Sequence, residues 1–168
     1  MLILSCDPGL TGAMSLLCSR RGLLECADLP TCSNGVVTGS MKRWLDVAGL
    51  QTLLAGWSLK HEFAQESVHV AIERPIPMPT LPAQTVASQF DTFGAIRALM
   101  QCIAGLAGMH IVAPQQWKKR FGLKTDKDAS IACAKRLYPE AAKYLTRKLD
   151  HNRSESVLIG HFLRMELA

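Results

Sequence analysis

Ile3-Leu4-Ser5-Cys6-Asp7-Pro8-Gly9-Leu10-Thr11-Gly12-Ala13-Met14 is an apolar run that ends in an aspartate, turns on Pro-Gly, and resumes after a second glycine. Continuous apolar character bounded by Gly and Pro marks a buried strand, so the stretch reads as two strands joined by a tight turn, with a carboxylate at the mouth of the first. Residues 2–7, 12–18 and 23–29 then form an antiparallel meander, the second turn being Ser19-Arg20-Arg21-Gly22. Residues 31–40, rich in small polar types, read as a loop, and residues 41–57 carry Trp44, Leu45, Leu50, Leu53, Leu54 and Trp57 at helical spacing. A fourth strand covers 68–73, and a long helix covers 85–108 with Val86, Phe90, Phe93, Ile96, Leu99, Met100 and Ile103 inward. Residues 109–112 make a fifth strand. Pro114 opens a brief helix to about Arg120, Thr125 or Asp126 caps a helix to Leu137, and Asp150 or Asn152 starts the last helix. A meander followed by alternating helices and strands predicts an α/β fold, a mixed five-stranded sheet with helices on both faces.

At 168 residues the chain fits one domain, 1–168, with enough core to fold without staples. Its hydrophobic fraction of 48% excludes a disordered chain, and no apolar run approaches the roughly 18 to 20 residues of a membrane span. The apolar start, Met1-Leu2-Ile3-Leu4-Ser5, lacks the basic region and cleavage site of a signal peptide, so a cytoplasmic protein with no membrane partner is expected. The six cysteines show no C-x-x-C spacing and read as reduced, mostly buried thiols.

The net charge of +5 matters less than its distribution. Between Trp117 and Arg153 lie eleven Lys and Arg against four Asp and Glu. A positive segment that leads into an acidic cluster suits an enzyme holding phosphates beside metal ions.

The acids themselves occur at three places. Asp7 ends the first strand, Glu73 ends the apolar run Val68-His69-Val70-Ala71-Ile72-Glu73, and Asp150-His151-Asn152-Arg153-Ser154-Glu155 opens the final helix. Each has a structural reading of its own: Asp7 as a turn former, Glu73 paired with Arg74, and Asn152-x-x-Glu155 as a capping box. Together, two acids at strand ends and a helix-borne acid form a cage suited to two Mg²⁺ ions, with Mn²⁺ able to substitute, and to phosphodiester hydrolysis.

Asp7-Pro-Gly-Leu-Thr-Gly, Ile72-Glu73-Arg74-Pro75, Trp117-Lys118-Lys119 and Asp150-His151-Asn152-Arg153-Ser154-Glu155-Ser156 resemble, in order and over almost the whole chain, the RuvC family of Holliday-junction resolvases, particularly its phage-type relatives. The resemblance implies a ribonuclease H-like fold and a homodimeric, Mg²⁺-dependent endonuclease that nicks opposed strands of a four-way DNA junction. It matches Asp7, Glu73 and Glu155 to catalytic, metal-binding acids. The family pattern has Asp or His three residues before the last acid, where this chain has Asn152. On a helix His151 sits about 40° and Asn152 about 60° from Glu155, against about 140° for Asp150, which escapes that arithmetic only if it precedes the helix. Asp150, a carboxylate suited to Mg²⁺, is the expected fourth ligand, with His151 the second choice as ligand or proton carrier.

Lys118, Lys119 and Arg120 beside a buried Trp117, with Arg153, are the expected DNA contacts. Residues 75–82, stiffened by four prolines yet bearing Ile76, Met78 and Leu81, read either as an apolar wedge at a branch point or as a loop packed on the core or a dimer partner. The helix at 85–108 is the expected dimer interface, and the loop at 33–43 a further DNA contact. Two other readings keep the fold: a nuclease for RNA–DNA hybrid, flap or fork substrates, and an inactive junction-binding protein. An actin-like ATP-binding module needs a second phosphate loop and a second domain, for which the chain has no room. A branch-migration helicase would be a natural partner for a resolvase.

Overall fold

The apolar run at the start of the chain forms β1 (Leu2–Asp7), which turns at Pro8-Gly9 into β2 (Ala13–Cys18) and again into β3 (Gly22–Asp28). These and all later features come from a computed structural model that describes residues 1–33, 43–123 and 127–168. β1 pairs antiparallel with β2 from Leu2 opposite Cys18 to Asp7 opposite Ala13. On its other side β1 pairs in parallel with β6 (Val68–Glu73), Cys6 lying opposite Ile72. β6 in turn pairs in parallel with β7 (Leu106–Val112). The sheet order is β3-β2-β1-β6-β7, the mixed five-stranded arrangement expected. Because β1 and β6 are parallel neighbours at its centre, the acids that end them emerge side by side.

Side chains alternate across a strand, and the two faces bury two separate cores. Leu2, Leu4, Met14, Leu16, Val70 and Ile72 meet Leu50, Leu54 and Trp57 of α1 (Val47–Lys60) and Ile96 and Met100 of α2 (Ala83–Met100). Ile3, Leu17 and Ala71 meet Trp117 of α3 (Pro114–Arg120), Ala134 of α4 (Lys127–Leu137), and Val157, Leu158 and Ile159 of α5 (His151–Glu166). α5 lies so close to the sheet that a Cβ at Gly160 would fall 2.5 Å from both Ser5 Oγ and Leu17 Cδ1. That contact fixes the height of α5 over β1, and with it the height of Glu155.

Local signals explain the helix starts. Asp46 caps α1, its carboxylate accepting from Gly49 N–H at 2.9 Å. Pro114 takes the first position of α3, where its missing N–H costs nothing, and Gln116 accepts from Ala113 N–H at 3.3 Å.

Three expectations are corrected, and two more fall partly or wholly outside the described residues. Residues 31–33 and 43–45, read as loop and helix, form a small antiparallel ladder, β4 (Thr31–Ser33) with β5 (Arg43–Leu45), so the following helix begins only at Val47. Of the loop expected to meet DNA at 33–43, only the two ends are among the described residues. The long helix stops at Met100, because the apolar residues from Leu106 onward satisfy their backbone on β6 instead. Phe90, expected inward, is 38% exposed. Thr125 and Asp126, read as caps of α4, lie outside the described residues. All six cysteines are free, and only Cys32 and Cys102 are exposed. Among the described residues no helix is long and apolar enough to cross a membrane.

Candidate active site

Asp7 and Glu73 leave the carboxyl ends of two adjacent parallel strands, and α5 carries Glu155 over them. One ligand oxygen of each acid lies within 4.8 Å of the other two. Such convergence is costly without a cation. Glu73 is 8% exposed, and burial, with Glu155 adding to it, pushes its pKa up to about 7 although Lys118 and Trp117 pull it down. Asp7 is raised well above the usual carboxylate range by desolvation, then by Glu73 and Glu155, against the pull of Lys118. Hard oxygen donors gathered this closely, their own protons being the alternative to a cation, fit Mg²⁺ or Mn²⁺.

The site opens into a cleft of about 1030 Å³. One wall is the turn from Pro8 to Gly12, drawn so tight that a Cβ at Gly12 would fall 2.1 Å from the Asp7 carbonyl oxygen. The opposite wall is the proline-rich segment after Glu73, with Met78 55% exposed at its rim. Its apolar side chains therefore face the cleft and solvent.

Helix α3 attends to two of the acids with consecutive residues. Lys118 Nζ lies 3.6 Å from Glu155 Oε1 and 5.0 Å from the centroid of the Trp117 ring. Trp117 is fully buried, and among the described residues its Nε1 is the one buried side-chain nitrogen or oxygen with no hydrogen-bond partner. The indole is nonetheless near enough to Glu73 to hold its carboxyl down. Leaving a buried N–H unpaired costs about 1–3 kcal/mol, so a donor kept beside an acid stands ready for it. Nothing local in the sequence distinguishes this tryptophan from a core residue.

The remaining expected site residues lie elsewhere. Asp150, expected as the fourth metal ligand, is not among the three converging acids. Its side chain is completely buried at the N-cap position of α5, where it accepts from Arg147 N–H at 2.6 Å and Arg147 Nε at 2.8 Å. Burial would raise its pKa, but those bonds and the charges of Arg147 and Arg153 hold it below the usual value. His151 opens the helix and is also outside the group of three. The residue that does line the cleft is Asn152, one turn from Glu155, whose amide donates to the Thr11 carbonyl. The helix starts too early for Asp150 to reach forward from a preceding turn.

The expected DNA contacts also divide. Lys119 and Arg120 are exposed, and Lys118 faces the cleft. Arg153 is committed to the protein: its guanidinium grips Asp28 with two bonds, of 2.6 and 2.8 Å, and donates to the Tyr144 carbonyl at 3.0 Å.

No family model matches the chain, and no curated protein matches it in sequence. Solved structures do match. Thermus thermophilus RuvC in complex with a Holliday junction substrate aligns with TM-score 0.60 at 15% identity, covering 100% of this chain and 96% of that one. Another structure of Thermus thermophilus RuvC aligns with TM-score 0.55 at 17% identity, over 99% and 97% of the two chains. The yeast mitochondrial Holliday junction resolvase aligns with TM-score 0.49 at 12% identity, over 98% of this chain and 80% of that one. The two RuvC alignments establish that the chain has the RuvC fold from end to end.

Proposed function

We propose that this chain is a divalent-metal-dependent endonuclease, a single nuclease domain that acts as a homodimer to resolve four-way DNA junctions. Fold alone does not choose a reaction, so the reading rests on the site. Its main support is the convergence of Asp7, Glu73 and Glu155 at the floor of an open cleft, on a fold shared with a protein solved on a Holliday junction.

In this reading Asp7, Glu73 and Glu155 hold two Mg²⁺ ions, or Mn²⁺ in their place. Bound there, the ions supply a water of lowered pKa and offset the negative charge that develops on phosphorus and on the leaving 3′-oxygen. The protein's share is positioning. Lys118 keeps Glu155 in place before loading and meets a phosphate once the carboxylates turn to the ions. Lys119 and Arg120 continue the positive surface along the DNA backbone, which they contact without reading sequence. Asn152 holds the Pro8–Gly12 turn through Thr11, and so sets the width of the cleft beside Asp7. The exposed apolar side chains of residues 75–82 stack on bases at the branch point. The apolar surface left on α2, with Phe90 exposed, forms the dimer contact that places two sites on opposed strands.

Cleavage of a labelled synthetic four-way junction, beside linear duplex, RNA–DNA hybrid and flap substrates, with Mg²⁺ or EDTA, tests the proposal. Paired nicks at symmetric positions, in the junction alone and only with Mg²⁺, are expected. Cutting confined to the hybrid or the flap would replace the substrate, and junction binding with no cutting in Mg²⁺ would overturn the activity.

A further inference from the structure

Two histidines meet on β6 and β7 upstream of Glu73, His110 lying opposite Ala71. His69 on β6 and His110 on β7 project from the face of the sheet that packs on α5, and His69 Nδ1 lies 3.4 Å from His110 Nε2. The rings stand 5.7 Å apart between centroids with 35° between their planes. The position opposite His69 in the parallel register is Gly108, not a residue with a side chain. A Cβ there would sit 3.1 Å from His110 Nε2 and 3.2 Å from His69 Nδ1, so the glycine provides the room into which both nitrogens turn.

We propose that His69 and His110 form a two-histidine site for a borderline transition-metal ion of the zinc class, bridging β6 to the edge strand β7. A tetrahedral zinc ion with bonds of about 2.0–2.1 Å spans about 3.3–3.4 Å between two ligand nitrogens, which is the spacing found. Metal-ligating histidines usually donate their second ring N–H to a fixed acceptor. His69 Nε2 has one in Ser67 Oγ, 3.3 Å away, and that bond leaves Nδ1 with its lone pair toward His110. His110 joins as a ligand in its Nδ1–H tautomer, so both imidazoles bind neutral and no net proton is released. Burial, then the neighbouring His69, keeps the pKa of His110 below the usual value, and the neutral form is thus the one present at pH 7. Neither ring offers the oxygen donors that Mg²⁺ prefers, so the two centres differ in the ions they take. They also differ in place, since along β6 Glu73 lies four residues beyond His69, about 13 Å, and two beyond Ala71, the residue opposite His110, about 7 Å at the rise of a strand.

The site therefore does not depend on the nuclease reading, and its test excludes the acidic centre. Zn²⁺ is titrated calorimetrically into the full chain carrying Asp7→Asn and Glu73→Gln, with millimolar Mg²⁺ present. One ion per chain is expected, with affinity falling at least about tenfold when either His69→Ala or His110→Ala is added, and falling again for Gly108→Ala. Should an alanine variant fail to fold, the ring ¹⁵N resonances of the five histidines are followed during the same titration. His69 Nδ1 and His110 Nε2 should shift while the other three rings stay put. A Zn²⁺-bound protein should also melt higher than the free protein, because an ion that binds only the folded state stabilises it. No Zn²⁺ uptake in this background, or uptake that leaves both rings unshifted, would overturn the site.

Discussion

Within its first two turns helix α5 meets two groups of carboxylates with opposite surroundings. Asp150 is held with Asp28 by Arg147 and Arg153, in bonds of 2.6 to 3.1 Å. Glu155, five residues on, faces Asp7 and Glu73, and Lys118, 3.6 Å from Glu155, with the Trp117 indole beside Glu73, offsets part of their repulsion. The arginine-held acids have their pKa values lowered, Asp28 chiefly by its hydrogen bonds to Arg153, whereas Asp7 and Glu73 are raised. Burial alone therefore does not mark a site; an acid whose charge the fold leaves unanswered does.

Removing the unanswered acids should have the largest effect. Asp7→Asn or Glu73→Gln is expected to lower junction cleavage by about 10³-fold or more, since several kcal/mol of transition-state stabilisation go with the ions, while junction binding in Ca²⁺ persists. Near wild-type cleavage by either variant would collapse the distinction between the two groups.

The next effect is on stability against pH, measured by urea unfolding without divalent ions. A carboxyl whose folded pKa is raised binds its proton more tightly in the native state, so stability falls as pH rises from the unfolded value of 4.5 to the folded value of about 7. For Glu73 that loss is on the order of 3 kcal/mol, and Glu73→Gln should remove it, the difference between the two curves opening between pH 4.5 and 7. A saturating divalent ion should close most of the same gap. Parallel curves would mean that burial does not strain the Glu73 carboxylate.

The arginine-held group predicts the reverse pattern. Asp150→Ala should cost about 2 kcal/mol of stability, at the low end for a broken ion pair because Arg147 reaches solvent, and should leave metal binding within about twofold of wild type. Loss of metal binding in a folded Asp150→Ala protein would return Asp150 to the ligand set.

Most of this was legible in the sequence, and the part that was not has a physical reason. Asp7 and Glu73 were legible because a strand end is a local feature: an apolar run stops, and the acid beyond it must emerge at the sheet edge. Glu155 was legible from the acid-bearing stretch that opens the final helix and from its match to the family's last acid. The role of Asp150 was not, because it depends on Arg147 and on Asp28, which reaches Arg153 across 125 positions of chain. The short ladder of β4 with β5 was hidden for a different reason, since three residues on each side are too few to show a period. The overlong second helix arose because apolar residues of β7 continue the pattern of α2, and only pairing with β6 assigns them to the sheet.

A smaller and sharper effect is expected at Trp117. Trp117→Phe keeps the buried ring and deletes the unpaired N–H, so the fold should persist while affinity for Mn²⁺ falls about tenfold, as when a group that orients a metal ligand is lost. Benzothienylalanine, which keeps the shape of tryptophan without the donor, should reproduce the loss. Unchanged affinity in both would make Trp117 a core residue only.

The most direct measurement is a calorimetric Mn²⁺ titration of the wild-type chain beside Glu73→Gln, Glu155→Gln and Asp150→Asn. Uptake by the wild type and by Asp150→Asn, with loss of at least about a hundredfold in the other two, is the predicted result. Equal binding by all four proteins, or none by the wild type, would contradict the assignment of Asp7, Glu73 and Glu155 as the metal centre.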